Sequence, residues 1–370
     1  MIRKETILQL IIPVFFFLII LKFYSASLSN VATILYIGLG YVALIISLIS
    51  KSNKANIIKW MFFIIYIGVL NALLSSLITD NYRIQDVILL FSYIGIAFIP
   101  FIIRLSYPIY KWCYIILLLF FGFHIVKGTN PTEIFSISRN FISVVLLIAA
   151  SYHIISAHQN NKKISLILLI SSLVLSIWAT GRSGIIVFTL LLLSVILIDK
   201  KYKKYRVYFV SLLLIVVYLI YIFLFSDLLN SGLVRFVNYG IEDSARSGVN
   251  TEYIAKMKES FLYILTGAPL KEVQSIVALD LNPHNSIIRL HIYYGLLGVL
   301  CLSFLLIKTS CFFIREKNYI YLSLLICLLL RSLVDSTSFH GPLDPLLFYL
   351  LFLFLDKKSN ENEKEVIEHI

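Results

Sequence analysis

The chain has 370 residues, of which 59% are hydrophobic and 14% charged, and its mean hydropathy is +0.91. A water-soluble domain carries roughly 25% charged residues, so the composition excludes an ordinary soluble globule. The formal net charge of +12 does not read as nucleic-acid binding, because the cations sit mainly in short connectors between apolar runs, where membrane orientation accounts for them.

In chain order the apolar runs predict an all-α polytopic bundle of twelve membrane spans, at about 7–23, 31–49, 58–79, 87–103, 112–126, 141–157, 164–180, 184–198, 207–226, 286–307, 319–334 and 345–355. Most approach the length of about 20 residues that crosses a hydrocarbon core of about 30 Å. No small-residue cleavage site and soluble domain follow the first run, so it is expected to stay as a span. With the N-terminus inside, the inner connectors and tail hold 20 Lys and Arg, while the short outer connectors hold five: Lys22, Arg83, Lys127, Arg139 and Arg182. Long loops are left out of such a tally, since they cross largely regardless of charge. The run DKKYKKYR at 199–206 fixes the middle of the chain most firmly. Both termini are therefore expected in the cytoplasm.

Residues 1–355 read as one bundle, and 356–370 as a charged, frayed tail. Residues 227–285 are the one long hydrophilic stretch, expected as an outer loop. Within it, 251–265 predicts an amphipathic helix with Tyr253, Ile254, Met257, Phe261 and Leu262 on one face, stopped by Gly267. A solvated loop without a role is the plainer alternative. There is no internal repeat between the halves. Cys113, Cys301, Cys311 and Cys327 give no disulfide framework or metal spacing, and no phosphate loop of the Gly-rich Lys type occurs. Neither metal nor cofactor is expected.

Ionisable residues inside spans are costly, so each one is informative. Arg182 lies in Thr180-Gly181-Arg182-Ser183-Gly184, a hairpin expected at the outer face. Its glycines permit a tight turn and close approach of a ligand, and a guanidinium beside a helix N-terminus suits a phosphate. A snorkelling arginine that marks the interface fits equally well. Arg139 and Asn140 open another span at the same level, and Arg289 and Arg331 lie about one turn inside theirs. Four arginines at one depth point to an anionic ligand, although Arg331 could instead pair with Asp335 across one helical turn. In Pro283-His284-Asn285-Ser286, a neutral imidazole could accept a proton from a sugar hydroxyl. The same segment reads as a capping turn, with Asn285 or Ser286 as N-cap. His340 is a weaker candidate; His124, His153, His158 and His291 are assigned to packing.

In order, Ser138-Arg139-Asn140, Thr180-Gly181-Arg182-Ser183-Gly184, Ser244-Ala245-Arg246-Ser247-Gly248, Thr266-Gly267, Pro283-His284-Asn285-Ser286 and Tyr294-Gly295-Leu296-Leu297-Gly298 resemble the pattern of the O-antigen polymerase and O-antigen ligase superfamily. The set covers about the central and C-terminal two thirds of the chain. The resemblance implies a metal-independent glycosyltransferase at the outer face of a bacterial inner membrane, its site facing the periplasm. The donor would be a glycan on undecaprenyl pyrophosphate. The acceptor would be another lipid-linked repeat unit in a polymerase, or lipid A–core in a ligase. A chain-length regulator and a flippase in the same membrane are the protein partners it suggests. The resemblance carries its functional residues onto Arg182, Arg246 and His284, with Asn285 positioning the base or the sugar. Here Gly181 stands between Thr180 and Arg182, a departure from the Ser or Thr that often precedes the hairpin arginine. A transporter or lipid-linked oligosaccharide flippase is the reading from another class, and a scaffold the third. Against transport stand ionisable residues grouped at one face, not at mid-membrane.

Overall fold

The structure, a computed structural model, describes residues 4–49, 55–79, 81, 84–136, 138–208, 211 and 244–355, with the side chains of 4, 26, 55, 56, 205 and 244–247 outside the description. The described residues form helices and connectors without a strand. The principal helices are α1 Lys4–Tyr24, α2 Ser29–Ile49, α3 Ala55–Ile78, α4 Ile84–Ile102, α5 Tyr107–Val126, α6 Asn140–Gln159, α7 Leu166–Trp178 and α8 Arg182–Ile198. Then follow α9 Ser244–Met257, α10 Phe261–Thr266, α11 Ser286–Arg315 and α12 Tyr319–Val334, and α13 Asp344–Leu355. Seven of these, α1 to α6 and α11, are long and apolar enough to cross a membrane, and α7, α8, α12 and α13 are shorter apolar helices. The chain is thus an all-helical protein of membrane type. Eleven of the twelve predicted spans fall on these helices; the one at 207–226 lies almost wholly outside the described residues, as do 227–243 and 356–370.

The packing follows from where the small residues lie. Every residue of α6 from Phe141 to Ala157 is buried. Ser143, Ala149, Ala150, Ser151 and Ser156 give it a slim profile that lets neighbouring helices close in, as in membrane bundles generally. The serines satisfy themselves locally: Ser151 and Ser156 donate to Leu147 O and His153 O. Around α6 stand α5, α7, α8 and α12; α2 packs on α1 and α4, and α3 on α4 and α11. Outward-facing Phe17, Ile34, Phe123 and Ile167 are exposed, as expected for side chains with hydrocarbon as their solvent.

One end of the bundle gathers basic connectors. Gln9 on α1 donates to Arg104 O and accepts from Ser106 N–H. Gln159 and Asn160 bond Leu105, Lys201 donates to Lys162 O, and Tyr202 to Ile164 O. At the other end, residues 244–285 form a cap. Its predicted helix at 251–265 is broken: α9 ends at Met257, and α10 begins after Ser260, which caps it by accepting from Leu262 N–H. Gly267, at φ 97°, ends α10 as expected. The expected apolar face is only half realised, since Tyr253 is buried while Ile254, Phe261 and Leu262 are exposed.

Buried polar side chains fasten the cap to the bundle. Asn71 on α3 donates to Thr266 O and Ile292 O. Asn81 donates to Ala268 O and accepts from Leu270 N–H. His291 on α11 donates from Nε2 to Ile264 O (2.7 Å), which leaves Nδ1 to accept from the Tyr253 hydroxyl at 2.8 Å. Between these bonds α11 breaks its regular path at Gly295 (φ 62°, ψ −171°). A side chain there would collide with Leu265 O and the Asn71 side chain.

Candidate functional site

The site grows from the junction of four chain segments at the capped end. In the turn that opens α11, Asn282 accepts the His284 N–H through its side chain (3.1 Å), and His284 itself adopts a left-handed conformation at φ 47°. Asn285 is the N-cap, accepting from Ile287 N–H and Ile288 N–H, and its amide donates to Asn250 Oδ1 on α9. This turn fixes the imidazole, whose Nδ1 lies 3.3 Å from Asp335 Oδ1. His284 is partly exposed, so the ring keeps a face toward solvent.

Asp335 follows α12 and joins three segments. Its Oδ2 lies 3.4 Å from Arg331 Nη2, and that nitrogen also donates to Asn140 O at the start of α6. Ser286 donates to Asp335 O and accepts from Thr337 N–H and Ser338 N–H. The 335–343 connector is held from its other side by Asp344, whose carboxylate accepts the amides of Phe339, His340 and Gly341. Two left-handed residues, Phe339 and His340, turn the carbonyls of the connector toward α11. Arg289 donates there, from Nη1 to Ser336 O and from Nη2 to His340 O, and its guanidinium lies over the Tyr293 ring.

The His340 imidazole is wedged between Asp86 on α4 (Nδ1 to Oδ1 3.6 Å) and the Tyr294 hydroxyl (Nε2 to Oη 3.2 Å). Burial pushes this imidazole below its ordinary pKa, and the facing Asp86 carboxylate pulls the other way. A cavity of about 340 Å³ opens between these groups, a size at the lower end of ligand pockets, roughly 300–1,000 Å³. Its lining includes His284, Asp335, Arg289 and His340 together with Lys22, Tyr36, Tyr93 and Ser138.

Of the residues expected to carry function, His284 and Arg289 line this cavity directly. Arg331 does not; it is only 1% exposed and stands behind Asp335, so the helical-turn pairing that competed with ligand binding is realised. Asn285 caps α11, the plainer of the two roles considered for that segment. Asn140 contributes its backbone carbonyl to Arg331, and its side chain borders Gly181. Arg139 precedes α6 and Arg182 opens α8; both are half-buried, and neither is part of the cavity wall. Arg246 lies within α9, with its side chain outside the description.

The 180–184 hairpin is built otherwise than its glycines suggest. The left-handed residue is Thr180 (φ 50°), while Gly181 has an ordinary φ of −88°. Gly184 lets α8 lie against α6, since a Cβ there would meet Ser143 Cβ at 2.5 Å; the close approach it permits is that of a helix.

Three lining or supporting residues carry no such expectation from sequence: Lys22, Asp86 and Tyr36. Lys22 counts only toward orientation when read as a charge near the end of an apolar run, and Asp86 precedes a span. Chemically, the site offers cations able to hold an anion, an imidazole able to take a proton, and a carboxylate that orients it. No group of His, Cys, Asp and Glu among the described residues could hold a metal ion. Comparison of the chain with family models, with curated proteins and with solved structures finds no match, so the resemblance rests on its ordered motifs alone.

Proposed function

We propose that the protein is a polymerase that joins undecaprenyl-pyrophosphate-linked oligosaccharide repeat units at the outer face of a bacterial inner membrane. In this reading the bundle has twelve spans, both termini are cytoplasmic, and the cap over residues 244–285 faces the periplasm. The observation that carries it is the convergence of Arg289 and the His284–Asp335 pair on one cavity at the capped end.

The acceptor sugar hydroxyl approaches His284. Nδ1 of that ring faces Asp335, so the Nε2 lone pair is the one available to take the hydroxyl proton as the oxygen attacks the anomeric carbon. Asp335 holds the ring and stabilises the imidazolium that forms, as a carboxylate behind a catalytic histidine does. The glycosidic bond to the carrier breaks as the new one forms, and the diphosphate leaves with the bonding electrons. Arg289 neutralises the departing charge, and its two backbone acceptors keep the guanidinium in place before the substrate arrives. The motif resemblance assigns Arg182 and Arg246 to holding the donor pyrophosphate and stabilising its charge, with Arg139 as a further binding residue.

His284→Ala, Arg289→Ala and Arg182→Ala should each abolish extension of a purified lipid-linked repeat unit while leaving membrane abundance unchanged. Full-length polymer from His284→Ala would refute the assignment. Cells lacking the protein should display single repeat units on their surface. Long chains accumulating on the carrier lipid would instead identify a ligase that transfers glycan to lipid A–core.

A further inference from the structure

We propose that Lys22 is a second cationic contact for a diphosphate ester in the cavity it shares with Arg289, so that the anion bridges α1 and α11. The inference rests on the transferase reading of the site and adds to it a residue outside every motif that suggested that reading.

Lys22 sits in the last turn of α1, half-buried. Its ammonium lies 3.5 Å from the Tyr36 hydroxyl and over the rings of Phe23 and Tyr36, at 5.2 and 5.5 Å. The aromatic wall around it is buried at Tyr36, which stacks on buried Tyr93 at 6.3 Å. Lys22 therefore stands in a defined place at the cavity and does not trail into solvent.

The charge balance there is incomplete. Among the described residues, the carboxylates nearest the cavity are already engaged: Asp335 with His284 and Arg331, Asp86 with His340, and Asp344 with the amides of Phe339, His340 and Gly341. Neither Lys22 nor Arg289 makes an ion pair among the described residues. Arg289 donates to two carbonyls and lies over the Tyr293 ring, and both cations line the same cavity. Desolvating an ammonium without a counter-ion is costly, and holding it near a guanidinium adds to that cost. An anion between them removes both penalties. A diphosphate suits the place, because its two phosphate groups present oxygens to the ammonium on one side and the guanidinium fork on the other.

The test uses full-length protein in detergent, titrated calorimetrically with inorganic pyrophosphate and separately with farnesyl diphosphate. Lys22→Ala should weaken binding of farnesyl diphosphate at least tenfold, equivalent to about 1.4 kcal/mol. Lys22→Arg should stay within about threefold of the parent, and Lys127→Ala, an exposed cation outside the cavity wall, should bind as the parent does. If Lys22→Ala fails to fold, Lys22→Gln removes the charge while keeping most of the side-chain length and gives the same reading. Tighter binding of farnesyl diphosphate than of pyrophosphate assigns the site to a lipid-linked diphosphate, whereas equal affinities assign it to the anion alone. Undiminished binding in Lys22→Ala, with loss in Arg289→Ala, overturns the role of Lys22 and leaves the transferase reading intact. No binding of either probe to the parent protein overturns both.

Discussion

The cost of burying charge sets the behaviour of single residues here. Arg331 is enclosed, and its guanidinium faces Asp335 and Asn140 O. Removing one partner of a buried ion pair leaves the other charge uncompensated, which costs roughly 3–5 kcal/mol. Arg331→Ala should therefore lower the thermal midpoint in detergent sharply, and Arg331→Met combined with Asp335→Asn should recover much of the loss. A fall in Arg331→Ala no larger than that of an exposed lysine variant would show that the pair does not hold the segments together. His340 behaves oppositely, because burial favours its neutral ring. A histidine in an unfolded chain titrates near about 6.5, so below that pH the unfolded state binds a proton that the folded state resists. Folding stability should be fully present above about pH 6.5 and fall as pH drops below it. Around the ring stand Asp86, Tyr293, Tyr294 and Arg289. His340→Asn should flatten the decline in thermal midpoint between pH 7.5 and 5.5; an unchanged slope would rule out this residue as its source.

Among elements, the junction of α11 with the cap is the most constrained. Gly295 occupies backbone space that side chains rarely enter, and Leu265 O and Asn71 crowd the position a Cβ would take. Gly295→Ala should cost roughly 2–4 kcal/mol through strain and overpacking, and it should free the cap before the bundle melts. Faster proteolysis within 258–260, the break between α9 and α10, is the measurement; unaltered cleavage would mean that the kink does not couple to the cap. That break also shows where sequence reading stopped. The spacing of Tyr253, Ile254, Met257, Phe261 and Leu262 fits one continuous helix, but Ser260 caps a new one and turns Phe261 outward to 70% exposure. Periodicity registers a repeat, not the capping bond that interrupts it. The Gly267 stop was legible because a local conformational demand fixes it. Similarly, Asn285 was legible as a cap, whereas Thr180 could not be foreseen as the left-handed residue beside two glycines.

At the scale of the whole molecule, the apolar runs were legible because hydrocarbon length sets a span whatever the neighbours do. The cavity was legible only in part. Arg289 and His284 announced themselves as polar groups at span ends, but the partners that complete the site, Lys22 on α1 and Asp335 after α12, are far apart in sequence, and only packing brings them to one cavity. Orientation offers the last test, because the segregation of connectors predicts more than a count of charges. The contacts of Gln9, Gln159 and Lys201 collect 104–106, 159–163 and 199–202 at one end, while the His284–Asp335 pair lies at the other with the cap. Lys and Arg flanking spans are retained on the cytoplasmic side, so these ends should face opposite compartments. In a background with the four native cysteines replaced, a cysteine at Thr129 or Asn282 should react with an impermeant maleimide in intact spheroplasts. One at Asn161 or Lys201 should react only after permeabilisation. Reversed labelling would turn the site toward the cytoplasm, where a donor already carried across the membrane could not reach it, and the polymerase reading would fall with the orientation.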